Sequence, residues 1–354
     1  MSKPIPCPDI RPRDPENLQT PIPSPYTYLT VKTPSGDTIT GYTSGKSSSV
    51  EINGTPHIDF TGVYITDISE NPERLQLLDG NSIPRKKKII KGTNISEWKD
   101  ERPDLLDKVY LCPRTGTPQI YIPIDHIVQY HYPQSTLREI LMNNSNPSIK
   151  AAVSYISDHI DINDLGLYGS NLVGIVSQNP KDIDLLVVGL EHLPVVKTLA
   201  ENKPDPQLTN KFADLEMNLA KQARDRIGKI VIPGSEGLYC DIKVVARNGD
   251  GPLSYILSNN DIQLQEGYQS IKGKVINDSE TLSAPGGVLV ETQDGQVLHI
   301  LNTSYEYIGA GQEGMTIEVQ GQPFQTSDGR TGIVIADTRL ETEESSRNYI
   351  IEQV

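Results

Sequence analysis

At 354 residues, with 36% hydrophobic and 22% charged residues, the chain is too long for one ordinary domain and has the composition of a globular protein of two or three. Its net charge of −14 excludes general electrostatic attraction to nucleic acid, so any such contact has to be local. No apolar run approaches the roughly 18–20 residues of a membrane-crossing helix, the N-terminus lacks the apolar core of a signal peptide, and three cysteines without metal-ligand spacing fit a reducing, cytoplasmic compartment.

Residues 1–30 are rich in proline and read as a disordered or extended lead. Residues 31–125 alternate polar and apolar positions, with turn signals at Ser35-Gly-Asp37 and Asn53-Gly-Thr55, and predict a β-rich module. It contains a basic run, Arg85 to Lys91, which reads as a solvated edge strand or loop, or else as a phosphate- or RNA-contacting patch. Residues 126–258 read as an α/β core. Thr136-Leu-Arg-Glu139 has the pattern of a capping box opening a short helix. Asn146-Pro147 caps a second, with Ile149, Ala152, Val153 and Ile156 at helical spacing. Strands are predicted at Leu165–Gly169, Asp182–Leu190 and Leu238–Ala246, with an amphipathic helix over 209–227 capped by Gly228.

Residues 259–340 change to period-two patterning, as five short strands with a hairpin turn at Asp294-Gly295. They predict a small barrel of the oligonucleotide-binding (OB-like) type. Residues 341–354 read as an acidic tail. From 259 onward, fifteen Asp and Glu stand against five Lys and Arg. Single-strand binders combine a basic groove with exposed aromatics, so this barrel is expected to have a structural or protein-contact role.

The chemistry concentrates in the core. Gly169-Ser170 ends one strand and opens a helix, where glycine allows close approach and free N–H groups attract an anion. Twelve residues after Ser170 comes Asp182-Ile-Asp184, whose two carboxylates share one face of a strand while Ile183 points into the core. Asp241 sits in a later strand between Cys240 and Ile242. Three carboxylates beside an anion-binding turn are what two-metal phosphoryl transfer requires, with hard oxygen ligands for Mg²⁺. The plain alternatives are a solvated strand end for Asp182 and Asp184, a salt bridge to Lys243 or a helix lysine for Asp241, and a helix cap for Ser170.

The ordered set YGS, DIDLLVV and CDIKVV resembles the core of the DNA polymerase β-like nucleotidyltransferase superfamily. HIVQYHYPQSTLREIL, the helix after it and LGLYGSNLVG followed by DIDLLVVG are also similar to a group of uncharacterised, mainly archaeal predicted nucleotidyltransferases. The resemblance implies a nucleotidyltransferase-type core with a mixed sheet, set between the β-rich module and the barrel. It implies transfer of a nucleoside monophosphate from a nucleoside triphosphate to an acceptor hydroxyl, in RNA, protein or a small molecule. Gly169 and Ser170 would hold the triphosphate, aided by Lys181. Asp182 and Asp184 would bind two Mg²⁺ or Mn²⁺ ions, and Asp241 would complete the site of the ion that activates the acceptor.

A second reading keeps the fold as a non-catalytic nucleotide-binding regulator or scaffold, and a third makes it an RNA-binding module through Arg85–Lys91. Lys221, Arg224, Arg226 and Lys229 read mainly as complements to a helix dipole. The six histidines lack zinc spacing.

Overall fold

The computed structural model describes residues 10–12, 27–32, 38–43, 49–66, 74–76, 82–84, 86–88, 109–111, 118–143, 146–173, 182–201, 228–235, 237–247, 251, 253, 256, 262–283, 286–302, 307–335 and 349–353. The molecule is a mixed α+β protein with few helices and a closed β-barrel near its C-terminus.

The N-terminal strands are β1 (Ile10–Pro12), β2 (Tyr28–Lys32), β3 (Thr38–Tyr42), β4 (Val50–Ile52), β5 (Thr55–Asp59) and β6 (Thr61–Thr66). After them come β7 (Arg74–Gln76), β8 (Ser82–Pro84), β9 (Lys86–Lys88), β10 (Val109–Leu111), β11 (Pro118–Pro123) and β12 (Ile127–His131). Two five-stranded sheets form, in the orders β1-β4-β5-β11-β10 and β12-β2-β3-β6-β9. Leu29, Val31 and Ile39 from one sheet pack with Ile58, Ile120 and Ile122 from the other, and the chain crosses between sheets at buried Phe60. Strand β12 pairs with β2, so residues 127–131 join this sheet rather than opening the α/β core. Of the basic run, Lys86–Lys88 is an edge strand, as one sequence reading expected.

The core that follows contains α1 (Pro133–Met142), α2 (Pro147–Ser157), β13 (Leu165–Leu167), α3 (Gly169–Leu172), β14 (Asp182–Val188), α4 (Leu193–Glu201), β15 (Lys229–Val231) and β16 (Tyr239–Val245). The expected capping box does not open α1. Pro133, whose fixed φ suits the first helical position, starts the helix one turn earlier, and the Thr136 N–H already donates to the Tyr132 carbonyl. Asn146 does cap α2, its Oδ1 accepting from the Ile149 N–H at 3.0 Å, and Ile149, Ala152, Val153 and Ile156 are all buried. Helix α4 and strand β15 were not anticipated, and the helix expected at 209–227 lies outside the described residues.

The core sheet runs β13-β14-β16-β15, with β14 and β16 parallel and both outer pairings antiparallel. One face carries Leu165, Leu167, Ile183, Leu185, Val187, Cys240, Ile242 and Val244 against the buried sides of α1, α2 and α4. Burying this apolar layer is the main local driving force for the fold. Among the described residues, no helix is long and apolar enough to cross a membrane.

The barrel comprises β18 (Gln269–Glu280), β19 (Gly286–Thr292), β20 (Val297–Asn302), β21 (Thr316–Thr326) and β22 (Thr331–Ile335), preceded by β17 (Ile262–Leu264) and followed by β23 (Tyr349–Gln353). Pairing runs β18-β19-β20-β22-β21 and back to β18, with β20 and β22 parallel. Closure depends on β21, whose first half pairs with β18 and second half with β22, turning at Gly321. A side chain there would meet the Val334 carbonyl oxygen at 2.4 Å. The hairpin at Asp294-Gly295 forms as expected, with Gly295 at φ +82°. The presumed acidic tail is corrected in part: residues 349–353 form β23 on β21, and Ile350 enters the barrel interior.

Barrel and core are joined by polar contacts at the end of β18. Lys197 of α4 pairs with Asp278, whose Oδ2 also accepts from the Glu313 N–H at 3.0 Å. Buried Glu280 accepts from the Leu253 N–H, and Ser283 donates to the Val244 carbonyl of β16. Because Asp278 is the more buried partner, Lys197→Ala, which leaves that carboxylate without its cation, is expected to cost about 2 kcal/mol or more, and Asp278→Ala, which leaves a partly exposed lysine, less. Denaturant midpoints of the two variants against the wild type check the order.

Candidate functional site

The parallel register of β14 and β16 decides the site. Asp182 lies beside Tyr239, Asp184 beside Asp241, Leu186 beside Lys243 and Val188 beside Val245. In both strands the intervening residues face the helices, so these pairs share the opposite face of the sheet. The three aspartates proposed from sequence therefore come together on one face, two of them on neighbouring strands roughly 5 Å apart in backbone position. Their exposure falls steadily: Asp182 is exposed, Asp184 half-buried and Asp241 only 8% exposed.

The row extends in both directions. The Tyr168 N–H donates to the Asp184 carbonyl at 3.1 Å, continuing the β13–β14 register so that Tyr168 stands beside Asp184. On the other side Lys229 is opposite Asp241. The neighbouring pair, Gly228 and Ile242, is hydrogen-bonded through the Ile242 N–H. Lys229 and Asp241 are then a non-hydrogen-bonded pair, the type whose side chains approach more closely. The sequence reading of Lys229 as a helix-dipole residue is thus corrected: it belongs to a strand and faces the carboxylates. Lys243, 1% exposed, carries its Nζ 4.6 Å from the Tyr168 ring centre, and the Lys229 Nζ is 4.6 Å from that of Tyr239. Neither tyrosine was singled out from sequence. The alternation of β16, with Tyr239, Asp241 and Lys243 at every second place, was the available signal.

Gly169 follows Tyr168 and shows why glycine is required here. Its φ is +65°, and a Cβ would lie 2.1 Å from the Asp184 Oδ2. The carboxylate occupies the space a side chain would need. Helix α3 is a single turn within the described residues, with Tyr168 rather than Ser170 at its cap position, and Ser170 is half-buried in that turn. Lys181 lies outside the described residues.

Cys240, fully buried on the helix face behind Asp241, has its thiol pushed far up, first by burial and then by the negative charges of Asp184 and Asp241. It is therefore inert as a nucleophile. Asp182, Asp184 and Asp241 offer hard oxygen donors on one face, the ligand type magnesium takes, while the group of described residues whose ligand atoms lie within 4.8 Å of one another is a different one.

A second acidic group lies at the other end of the sheet. Asp164, Glu191 and His192 bring ligand atoms within 4.8 Å of one another. Arg247 already serves two of them, at 2.8 Å from Asp164 Oδ1 and 3.0 Å from Glu191 Oε1, while His192 Nε2 is 3.0 Å from Asp164 Oδ2. This is an ion-pair network joining the chain before β13 to the ends of β14 and β16.

Two expectations follow. Gly169→Ala is expected to destabilise by about 1–2 kcal/mol from backbone strain alone, with a further loss from the contact with Asp184. In a double-mutant cycle Asp184→Ala should recover only that further part, as measured by chemical denaturation. The Asp164 carboxyl is held below the usual carboxylate range, chiefly by its hydrogen bond from Arg247. Its folded value being the lower one, its contribution is full above about pH 4 and is lost as pH falls through the folded value. Unfolding midpoints between pH 6 and pH 3 should consequently fall less steeply in Asp164→Asn than in the wild type.

No protein-family model, no curated protein and no solved structure matches this chain.

Proposed function

We propose that the chain is a nucleotidyltransferase of the DNA polymerase β-like type, moving a nucleoside monophosphate from a nucleoside triphosphate to an acceptor hydroxyl with release of pyrophosphate. The observation that carries this reading is the alignment of Asp184 with Asp241 on adjacent parallel strands, with Asp182 on the same face and Gly169 pressed against Asp184. Asp182 and Asp184 would hold two Mg²⁺ or Mn²⁺ ions, with Asp241 completing the site on the acceptor side. Bound there, the ions would supply charge neutralisation at the transferred phosphoryl group and a lowered pKa for the attacking hydroxyl.

The chain's own residues have separate tasks. Asp182, the exposed member, meets the incoming nucleotide first, and half-buried Asp184 is held in place by the tight fit over Gly169. Asp241, within the sheet, is the carboxylate best shielded from water, and suits an acceptor hydroxyl that must be drawn in and stripped of solvent. Ser170 and the backbone after Gly169 line the side where the triphosphate would lie. The barrel's order β18-β19-β20-β22-β21 with a parallel β20–β22 pair supports the OB-like reading. Its outer surface around Leu289 and Leu301 is covered by the chain's own Leu253 and Ile256, which favours a structural role over oligonucleotide binding. A cytoplasmic location accords with the sparse cysteines.

The test is label transfer from each α-labelled nucleoside triphosphate with Mg²⁺ or Mn²⁺, using matched cell extract as the source of acceptors. Asp182→Ala and Asp184→Ala are expected to lower transfer by at least a thousandfold while remaining folded by circular dichroism. Full activity in either folded variant would remove the assignment. Metal-dependent nucleotide binding without any transfer would favour the regulator.

A further inference from the structure

Two lysines lie among the carboxylates on the site face, and the reaction as read above gives neither a task. Lys243 is 1% exposed and Lys229 8%, a degree of burial that lysine seldom reaches without opposite charge nearby. The positions of both are set by register. Lys243 stands beside Leu186, one step along the sheet from the Asp184–Asp241 pair. Its ammonium is 4.6 Å from the ring centre of Tyr168, which belongs to the far side of β14. That ring packs on Leu186 and on Val245 of β16, so it meets the Lys243 side chain over the sheet, two residues along β16 from Asp241. Lys229 approaches from the opposite edge, directly across from Asp241, and leans toward Tyr239 beside Asp182. Two lysines therefore share the face of the three aspartates, Lys229 across from Asp241 and Lys243 two residues beyond it, each with its ammonium over an aromatic ring.

We infer that Lys243 and Lys229 are built-in counter-cations, which hold the three carboxylates together in the metal-free protein and weaken the binding of a divalent ion that arrives without its nucleotide. The inference rests on the proposed metal-dependent reading of the site. With both lysines in place the five groups sum to a single negative charge, too little to attract a free divalent ion strongly. A metal arriving with a triphosphate brings anionic oxygens that the same ammonium groups favour. The lysines are positioning residues: they set the charge against which metal and nucleotide bind as a unit, and so guard the site against bare metal ions.

The discriminating measurement is Mn²⁺ affinity of the full chain without nucleotide, read from free Mn²⁺ by electron paramagnetic resonance. Lys243→Met is expected to bind Mn²⁺ on the order of tenfold more tightly than the wild type, as removal of one nearby positive charge dictates, with Lys243→Arg close to wild type. In EDTA its thermal midpoint should fall, and Mn²⁺ should restore more of that loss than it adds to the wild type. A side chain that only fills space would lower the midpoint equally with and without Mn²⁺ and leave the affinity unchanged, and that result overturns the inference. Should Lys243→Met fail to fold, Lys229→Met, at the edge of the sheet, is put to the same comparison. Wild-type protein that binds neither Mn²⁺ nor Mn²⁺–ATP overturns the proposed function and the inference together. Wild-type protein that binds Mn²⁺–ATP, with no affinity change in either lysine variant, overturns the inference alone.

Discussion

The parallel pairing of β14 with β16 is the constraint on which the rest of the molecule turns. It sets Asp184 beside Asp241 in the middle of a sheet, so that two like-charged side chains share one face of neighbouring strands and repel. A fold that is only marginally stable does not carry such a cost without compensation. The opposite face of the same two strands supplies it in part, through an unbroken apolar layer of Ile183, Leu185, Val187, Cys240, Ile242 and Val244 under three helices. On the site face Lys229 and Lys243 share the sheet surface with the aspartates. One face of the sheet is thus apolar throughout, while the other carries the charged residues and, toward its C-terminal end, the apolar cluster of Tyr168, Leu186 and Val245.

That division also explains where the flanking modules attach. The barrel meets β16 from the helix side: Leu282 and Ile308 join the helix-side core, and Ser283 bonds the Val244 carbonyl. The N-terminal module approaches the other face, where Tyr42 of β3 packs against the cluster of Tyr168, Leu186 and Val245. Tyr28, its ring tilted against that of Tyr42 at 5.7 Å between centres, reaches the helix-side core. The C-terminal ends of β14 and β16 are therefore closed by side chains from the N-terminal module, and beyond them by the Arg247 network. The N-terminal ends, where Asp182 is exposed, form the side of the sheet on which charge meets solvent.

Much of this was legible in the amino-acid order, for reasons tied to particular residues. Alternation along DIDLLVV predicted the shared face of Asp182 and Asp184 because strand geometry has a period of two and leaves no other choice. The five barrel strands were visible for the same reason, and Asn146-Pro147 marked α2 because capping is a local interaction. What stayed hidden depended on partners distant in sequence. The alignment of Asp184 with Asp241 is a register between strands more than fifty residues apart. The role of Lys229 depended on β15, three residues long and recognisable only through its pairing with β16. Helix α4 was missed because LPVVKTLAE is short and carries two valines, poor helix formers, and tertiary burial of Leu193, Val196 and Leu199 overrides them.

The distribution of charge over the whole chain is consistent with this local design. Residues 259–354 hold most of the net negative charge, and the barrel's outer apolar patch is occupied by Leu253 and Ile256 of the connecting segment. It stands on the side of the sheet away from the carboxylates. Its contribution is mechanical: Asp278 and Glu280 fasten the end of β18 to Lys197 of α4 and to the Leu253 backbone, next to the strand that carries Asp241. A charged site needs rigid walls, since a displacement of one ångström between like charges changes their interaction by a large fraction of a kcal/mol. Fixing the helix layer from behind therefore serves the geometry of the three aspartates as directly as the lysines beside them do.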